Sequence, residues 1–321
     1  MAAFKKAEGN LMAFIMTSNT APTKRAHNID TRIARLLPLM LLLVACADPN
    51  APIHAPVTPA AAETAEPGAT TFREVLLPET PAPARLWIYL PAAPKGRIPA
   101  IFIAPAGSRM FHGMRLEQGD RPEHLPYAQA GFAVVAYDVD GPLGRKPTDD
   151  EAIAAARAFR DAEAGVANAR TAIDWAVANL PEVDANRLYV AGHSSAATLA
   201  LLVAAEEPRI KACIAIAPPT DLRDYLSTRM IGWLSREIPG YDTFVTSASP
   251  VSHVDELTKP MFLFGAHDDS SVSFDKTAEF AQETKRRNAA VAFVPVSEGG
   301  HYDSMIQIGI PRAIDWLKRL R

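Results

Sequence analysis

Three things are scarce in this 321-residue sequence, and each scarcity excludes a class of protein. Cysteine occurs only at Cys46 and Cys213, in unlike surroundings, so no disulfide framework holds the fold. A large excess of one sign of charge is missing: 33 Lys and Arg stand against 36 Asp and Glu, the formal net charge is -3, and nothing suggests a nucleic-acid partner. A membrane-spanning run is missing too, because the apolar segment from Leu36 to Ala45 is only about ten residues long, too short for a bilayer. With 48% hydrophobic residues, what remains is an enzyme-sized globular chain carrying extra N-terminal material.

That material has the layout of a signal peptide over residues 1–45. Lys24, Arg25, Arg32 and Arg35 precede the apolar run, which closes on small residues. The closing Leu43-Val44-Ala45-Cys46 resembles the lipobox of bacterial lipoproteins. The resemblance implies cleavage before Cys46, lipidation of its thiol, and a membrane anchor in the cell envelope. Ala47 in place of an aspartate implies the periplasmic face of the outer membrane. Met12 and Met16 are alternative starts. Residues 46–70 are rich in Ala, Pro, Thr and Glu with little to bury, and read as a flexible tether in which His54 is solvated.

Residues 71–321 suit one α/β domain. Strand-like runs fall at Phe72–Leu77, Arg85–Leu90, Ala100–Ala104, Ala133–Asp138, Leu188–Ala191, Lys211–Ala217, Met261–Gly265 and Val291–Val296. Helix formers fill Asp149–Asn179, Ala196–Glu206, Phe274–Arg287 and Ser304–Leu320. The alternation predicts a mainly parallel eight-stranded sheet with helices on both faces, its first two strands an antiparallel lead-in. Ligands of such sheets bind at the carboxyl ends of the strands. Residues 218–250 break the pattern. They predict a small lid whose Tyr225, Met230, Trp233, Ile238, Tyr241 and Phe244 either wall an acyl pocket or pack the excursion's own core.

Chemistry enters at Gly192-His193-Ser194-Ser195-Ala196, squeezed between the run ending at Ala191 and the helix that follows. This fits the nucleophile elbow Gly-x-Ser-x-Gly with alanine last. A sharp strand-to-helix turn lifts a hydroxyl clear of the sheet, and the small flanking residues let strand and helix approach. Ser194 is the candidate nucleophile. The N–H groups of Ser195 and of Ser108, on the turn Ala106-Gly107-Ser108-Arg109, are the candidate oxyanion donors. His112, beyond that turn, reads as a loop residue.

A nucleophilic serine needs a base and a carboxylate to orient it. Gly299-Gly300-His301 forms a loop able to carry an imidazole over the elbow, and His301 follows both serine and acid in the chain order expected of this arrangement. The acid lies in Gly265-Ala266-His267-Asp268-Asp269. Counting forward from Gly265 selects Asp268, and counting back from Val272 selects the alternative, Asp269; Asp268 is preferred because the strand end is the stiffer reference. His267 lines the loop. Asp140-Gly141-Pro142 reads as a turn, and Cys213, in an apolar strand, as a small hydrophobe.

From about Ala84 to Arg321 the chain thus resembles the α/β-hydrolases, in their prolyl-oligopeptidase-like and dienelactone-hydrolase-like branch. The resemblance rests on Val183-Asp184-Ala185-Asn186-Arg187 leading into the elbow, then Ser249-Pro250, Lys259-Pro260, Gly265 to Val272 and Gly300-His301. Three features depart from the branch: Ala196 for the last elbow glycine, Ala106 where its members carry histidine, and a linker where its peptidases carry a propeller. The resemblance, with serine as nucleophile, implies a serine hydrolase cleaving carboxylic esters through an acyl-enzyme, without metal or organic cofactor. The alternatives are a small-peptide peptidase or amidase and, in another class, an inactive envelope binding module. The expected partner is a small-molecule ester.

Overall fold

Short β-branched runs separated by alanine-rich helices assemble, in the computed structural model, into one nine-stranded sheet; the structure describes residues 64–66, 70–77 and 84–320. The strands are β1 (Thr64–Glu66), β2 (Thr70–Leu77), β3 (Ala84–Pro91), β4 (Ile98–Ile103), β5 (Ala133–Tyr137), β6 (Val183–His193), β7 (Ile210–Ile216), β8 (Met261–Ala266) and β9 (Val291–Val296). Their spatial order is β1-β2-β3-β5-β4-β6-β7-β8-β9. Pairings from β1 to β5 through β2 and β3 are antiparallel, and all the others are parallel. All eight expected strands are present. The ninth, β1, falls in the stretch read as tether and pairs Thr64 with Phe72. A short edge strand of Thr, Ala and Glu is held by backbone bonds, so no apolar pattern announces it.

The central strands are sealed on both faces: every residue of β5 and β8 is buried, as continuous apolar runs in a parallel sheet require. The helices are α1 (Arg121–Gln129), α2 (Asp149–Asp161), α3 (Val166–Asn179), α4 (Ser195–Glu206), α5 (Thr228–Glu237), α6 (Tyr241–Ser247), α7 (Phe274–Arg287) and α8 (Ile310–Leu317). Thr148 opens α2 with a reciprocal cap: its hydroxyl accepts from Glu151 N, and the Glu151 carboxylate accepts from Thr148 N.

Two helical expectations change. The stretch Asp149–Asn179 is two helices, broken where Glu163, Ala164 and Gly165 take positive φ. A Cβ on Gly165 would sit 2.8 Å from Leu199 Cδ2, so the break lets α3 pack closely on α4. Helix α1 has no counterpart in the sequence reading, because Pro122 begins it and Pro126 lies inside it. The last expected helix opens with a π-helical turn, Met305–Gly309, before α8. In the excursion, Met230, Trp233, Ile238, Tyr241 and Phe244 are buried, and Phe244 meets Phe159 of α2 edge-on at 5.9 Å. None of these lines the pocket described below, and Tyr225, partly buried, packs against the main core instead.

The carboxyl ends of the central strands are tied into one rim. Ser194 N donates to Ile216 O at 2.9 Å, Ala217 N to Phe264 O at 2.8 Å, and His267 N to Val296 O at 2.9 Å. The segments that follow β6, β7, β8 and β9 therefore leave the sheet side by side.

Candidate active site

Ser194 stands at the tightest turn on that rim. Its backbone takes φ 56° and ψ -126° between the last residue of β6 and the first of α4, a conformation that costs a non-glycine residue about 1–3 kcal/mol. The turn depends on Gly192, where a Cβ would lie 2.2 Å from Ala196 O. Ala196 itself is buried and accommodated, so alanine at the last motif position is compatible with the elbow. Ser194 remains partly exposed while Gly192, His193 and Ser195 are buried.

The histidine loop reaches the elbow through two glycines with φ 115° and 59°, Gly299 and Gly300. A Cβ on Gly299 would press 2.9 Å from Ser304 Cβ, and Ser304 braces the loop by donating to Gly299 O and Gly300 O. His301 Nδ1 meets Asp269 Oδ2 at 2.7 Å. The preference for Asp268 is therefore corrected. Asp268 is exposed, and its carboxylate accepts from the N–H groups of Gly299 and Gly300 at 3.0 and 2.8 Å. Both aspartates serve the same loop, one holding its backbone and the other its imidazole. The residue count back from Val272 pointed the right way, because Val272 N and Ser271 N donate to Asp269 Oδ1 and fix its carboxylate.

The Asp269 side chain is 2% exposed. Burial works to raise its pKa, but the bonds from His301, Val272 and Ser271 and the charge of His301 outweigh it, and the net shift is downward. The carboxylate stays ionised and accepts the Nδ1 proton, which leaves Nε2 as the basic nitrogen.

A second contact on the histidine was not foreseen. His193 Nε2 lies 3.0 Å from the His301 carbonyl oxygen, so Nε2 carries the proton and donates, and the two rings sit 4.4 Å apart. Glu123 Oε1 of α1 lies 3.6 Å from the other ring nitrogen of His193. The residue before the nucleophile thus ties the elbow to the histidine loop. Its position inside the motif was visible; its partner, on a helix the prolines concealed, was not.

The oxyanion side also differs from expectation. Ser108 N does not point free into the site: it donates to Ser195 Oγ at 3.0 Å, as does Gly107 N at 3.0 Å. Ser195 N, the first N–H of α4, remains as expected at the helix start beside Ser194. The loop from Gly107 is held rigidly. Met110 takes φ 68°, Met110 N donates to Ser108 Oγ, and Ser108 Oγ donates to His112 O. His112 is buried with Nδ1 on Gly113 O, and burial lowers its pKa. It is a loop-building histidine, as read.

Against Ser108 and Ser195 opens a narrow pocket lined by Met110, Met114, Phe159, Leu199 and Leu222 among others, with no Asp, Glu, Lys or Arg in its wall. Leu222 and Ala248 are the excursion's contribution to it. Among the described residues no group of three or more His, Cys, Asp or Glu is placed to hold a metal ion. His267 is exposed and stacked on Phe274 at 3.7 Å, and Cys213 is a buried free thiol whose pKa burial pushes up. Cys46 and the stretch expected to be a signal peptide lie outside the described residues, among which no helix is long and apolar enough to cross a membrane.

The sequence matches the prolyl oligopeptidase family over residues 121–320, which contain Ser194, Asp269 and His301. No curated protein matches it. Among solved structures it is similar to an acylaminoacyl peptidase in complex with Z-Gly-Gly-Phe-chloromethyl ketone, at 16% identity and a TM-score of 0.59, with 78% of this chain covering 40% of that one. It is similar to an acetyl xylan esterase from Paenibacillus sp. R4 at 17% identity and TM-score 0.60, over 83% of this chain and 89% of that one. A thermophilic esterase from the Planctomycetes species Thermogutta terrifontis follows at 22% identity and TM-score 0.58, over 79% and 95%. At these identities the likeness is one of fold, that of the α/β-hydrolases. The chain spans 40% of the peptidase's length but most of each esterase's. Because the family match takes in well over half of the sequence together with its elbow, the chain belongs to the prolyl oligopeptidase family, and its general class is serine hydrolase.

Proposed function

We propose that this protein hydrolyses carboxylic esters through an acyl-enzyme, with Ser194 as nucleophile, His301 as base and then acid, and Asp269 as the orienting carboxylate. The observation that carries the reading is the 2.7 Å bond from His301 Nδ1 to Asp269, on the same rim as a strained, partly exposed serine. In this mechanism Nε2 of His301 takes the Ser194 proton as Oγ adds to the acyl carbon, then gives it to the leaving alkoxide. Water, activated by the same nitrogen, releases the acid and restores Ser194.

Preference for an ester over a peptide is supported by the pocket beside Ser195. Its wall is apolar and lacks any ionised partner for a peptide terminus, which suits a small acyl group. The sequence further supports a lipid anchor at Cys46 in the outer membrane, tested by metabolic labelling with an alkynyl fatty acid that Cys46→Ala abolishes. For the activity, a fluorophosphonate probe is expected to label the protein stoichiometrically, and Ser194→Ala to abolish the labelling. Short p-nitrophenyl esters are expected to be cleaved and aminoacyl anilides spared. The converse substrate preference identifies a peptidase, and an unlabelled protein identifies a binding module.

A further inference from the structure

The Ser195 hydroxyl presents an imbalance in its hydrogen bonds. A serine Oγ offers two acceptor lone pairs and one donor hydrogen. Here both lone pairs are taken by Gly107 N–H and Ser108 N–H, each at 3.0 Å. A hydroxyl filled in this way must aim its hydrogen away from both donors. Ser195 is 8% exposed, and among the described residues no acceptor is paired with its hydrogen. A buried donor without an acceptor costs free energy unless something else supplies one. The direction left open is the pocket that Ser195, the residue after Ser194, lines together with Ser108.

We infer that the Ser195 hydroxyl is itself an oxyanion donor: Gly107 and Ser108 orient and polarise it, and it delivers to the substrate the hydrogen bond expected from Ser108 N–H. The inference rests on the reading of Ser194 as nucleophile. By covalent geometry a serine's N and Oγ are roughly 3 Å apart, so the N–H and O–H of Ser195 can converge on one oxygen. As Ser194 Oγ bonds to the acyl carbon, the carbonyl π pair moves onto that oxygen, and the hydroxyl hydrogen-bonds it without giving up its proton. On collapse the pair returns to re-form C=O, and the alkoxide departs with the proton from His301. Two N–H donors on one hydroxyl oxygen make its O–H a better donor by polarisation, so the loop acts on the charge through Ser195.

The test compares wild type, Ser195→Ala and Ser195→Thr on p-nitrophenyl acetate and on the matching thionoester, whose sulfur is a poor hydrogen-bond acceptor. Ser195→Ala is expected to lower kcat on the oxygen ester about 100-fold, the loss typical of one oxyanion donor, with KM little changed. The thionoester rate is expected to fall much less, and Ser195→Thr, which keeps the hydroxyl, to recover most of the oxygen-ester rate. Full or raised activity in Ser195→Ala overturns the inference, as does an equal loss on both esters, since either result makes the hydroxyl a plug or a loop anchor. Ser194→Ala is run alongside. If it is inactive while Ser195→Ala is unimpaired, only the present inference fails; if Ser194→Ala retains esterase activity, the nucleophile reading fails first.

Discussion

The two adjacent aspartates offer a sharp experiment, because they differ in what they touch and not in what they are. In Asp269→Asn the amide keeps the shape of the side chain that is 2% exposed, but the carboxylate that accepts the His301 Nδ1 proton at 2.7 Å is gone. Without it the imidazole loses both its preferred tautomer and the countercharge for its protonated state. The comparable change in a serine protease lowers kcat about 10^4-fold, or about 5.5 kcal/mol at 1.36 kcal/mol per tenfold. Asp268→Asn removes instead an exposed acceptor of the Gly299 and Gly300 N–H groups, and the amide oxygen can still take one of them. Losing one such bond costs about 1 kcal/mol, so kcat is expected to fall by no more than roughly tenfold. The assay is steady-state hydrolysis of p-nitrophenyl acetate at constant pH, with the fraction of folded protein fixed by circular dichroism. A nearly dead Asp268→Asn beside an active Asp269→Asn would refute the assignment. The pH dependence of stability supplies an independent check. The folded-state pKa of Asp269 is lowered, so its stabilisation is complete above the unfolded value of about 3.9 and is lost as pH falls through the folded value. The Tm difference between wild type and Asp269→Asn is expected to narrow below about pH 4.

Two further outcomes follow from geometry away from that pair. Ser194→Gly abolishes activity but relieves a φ of 56° with ψ -126°; strain of about 1–3 kcal/mol against a glycine entropy cost of about 0.5–1 kcal/mol predicts a net rise in Tm of a few degrees by calorimetry. Asp138→Ala removes a buried carboxylate that accepts from Leu116 N and pairs with Arg85 and Arg115 at 3.3 and 3.2 Å; both arginines keep access to water, so the loss is chiefly the acceptor for a buried N–H, about 1–3 kcal/mol, which urea denaturation would register as a lower midpoint at unchanged slope.

What was legible in the sequence had a local cause. Each of the eight strands announced itself as a short apolar run, and the elbow as a motif set between a strand and a helix. The Gly299-Gly300 pair marked a loop whose φ values suit glycine. What was not legible depends on partners distant in sequence. Asp268 and Asp269 are chemically alike, and only the bonds from Ser271, Val272 and the glycine N–H groups separate their tasks. Helix α1 hid behind two prolines, and with it went Glu123 beside His193 and the wholly buried His124, whose pKa burial lowers to about 3. Asp138, two residues before a plain turn, is a buried anchor for Arg85 and Arg115 because β3 and the loop after β4 meet there. Ser108 lies on the expected loop, yet the acceptor for its N–H is a neighbouring hydroxyl that only the fold brings near.

The helical excursion after β7 carries a hydrophobic centre of its own, with Tyr241 fully enclosed and Trp233 nearly so, and lends the pocket little more than Leu222 and Ala248. Ser194, by contrast, is pinned through its backbone to the neighbouring strand. The pocket wall is drawn mainly from the loop after β4, from Phe159 of α2 and from α4, so its shape belongs to the framework that carries Ser194 and not to the insert. Grafting a different insert onto the ends of β7 and β8 should therefore leave the admitted acyl groups nearly as they are, whereas substitutions at Met110, Met114 or Leu199 should redraw them.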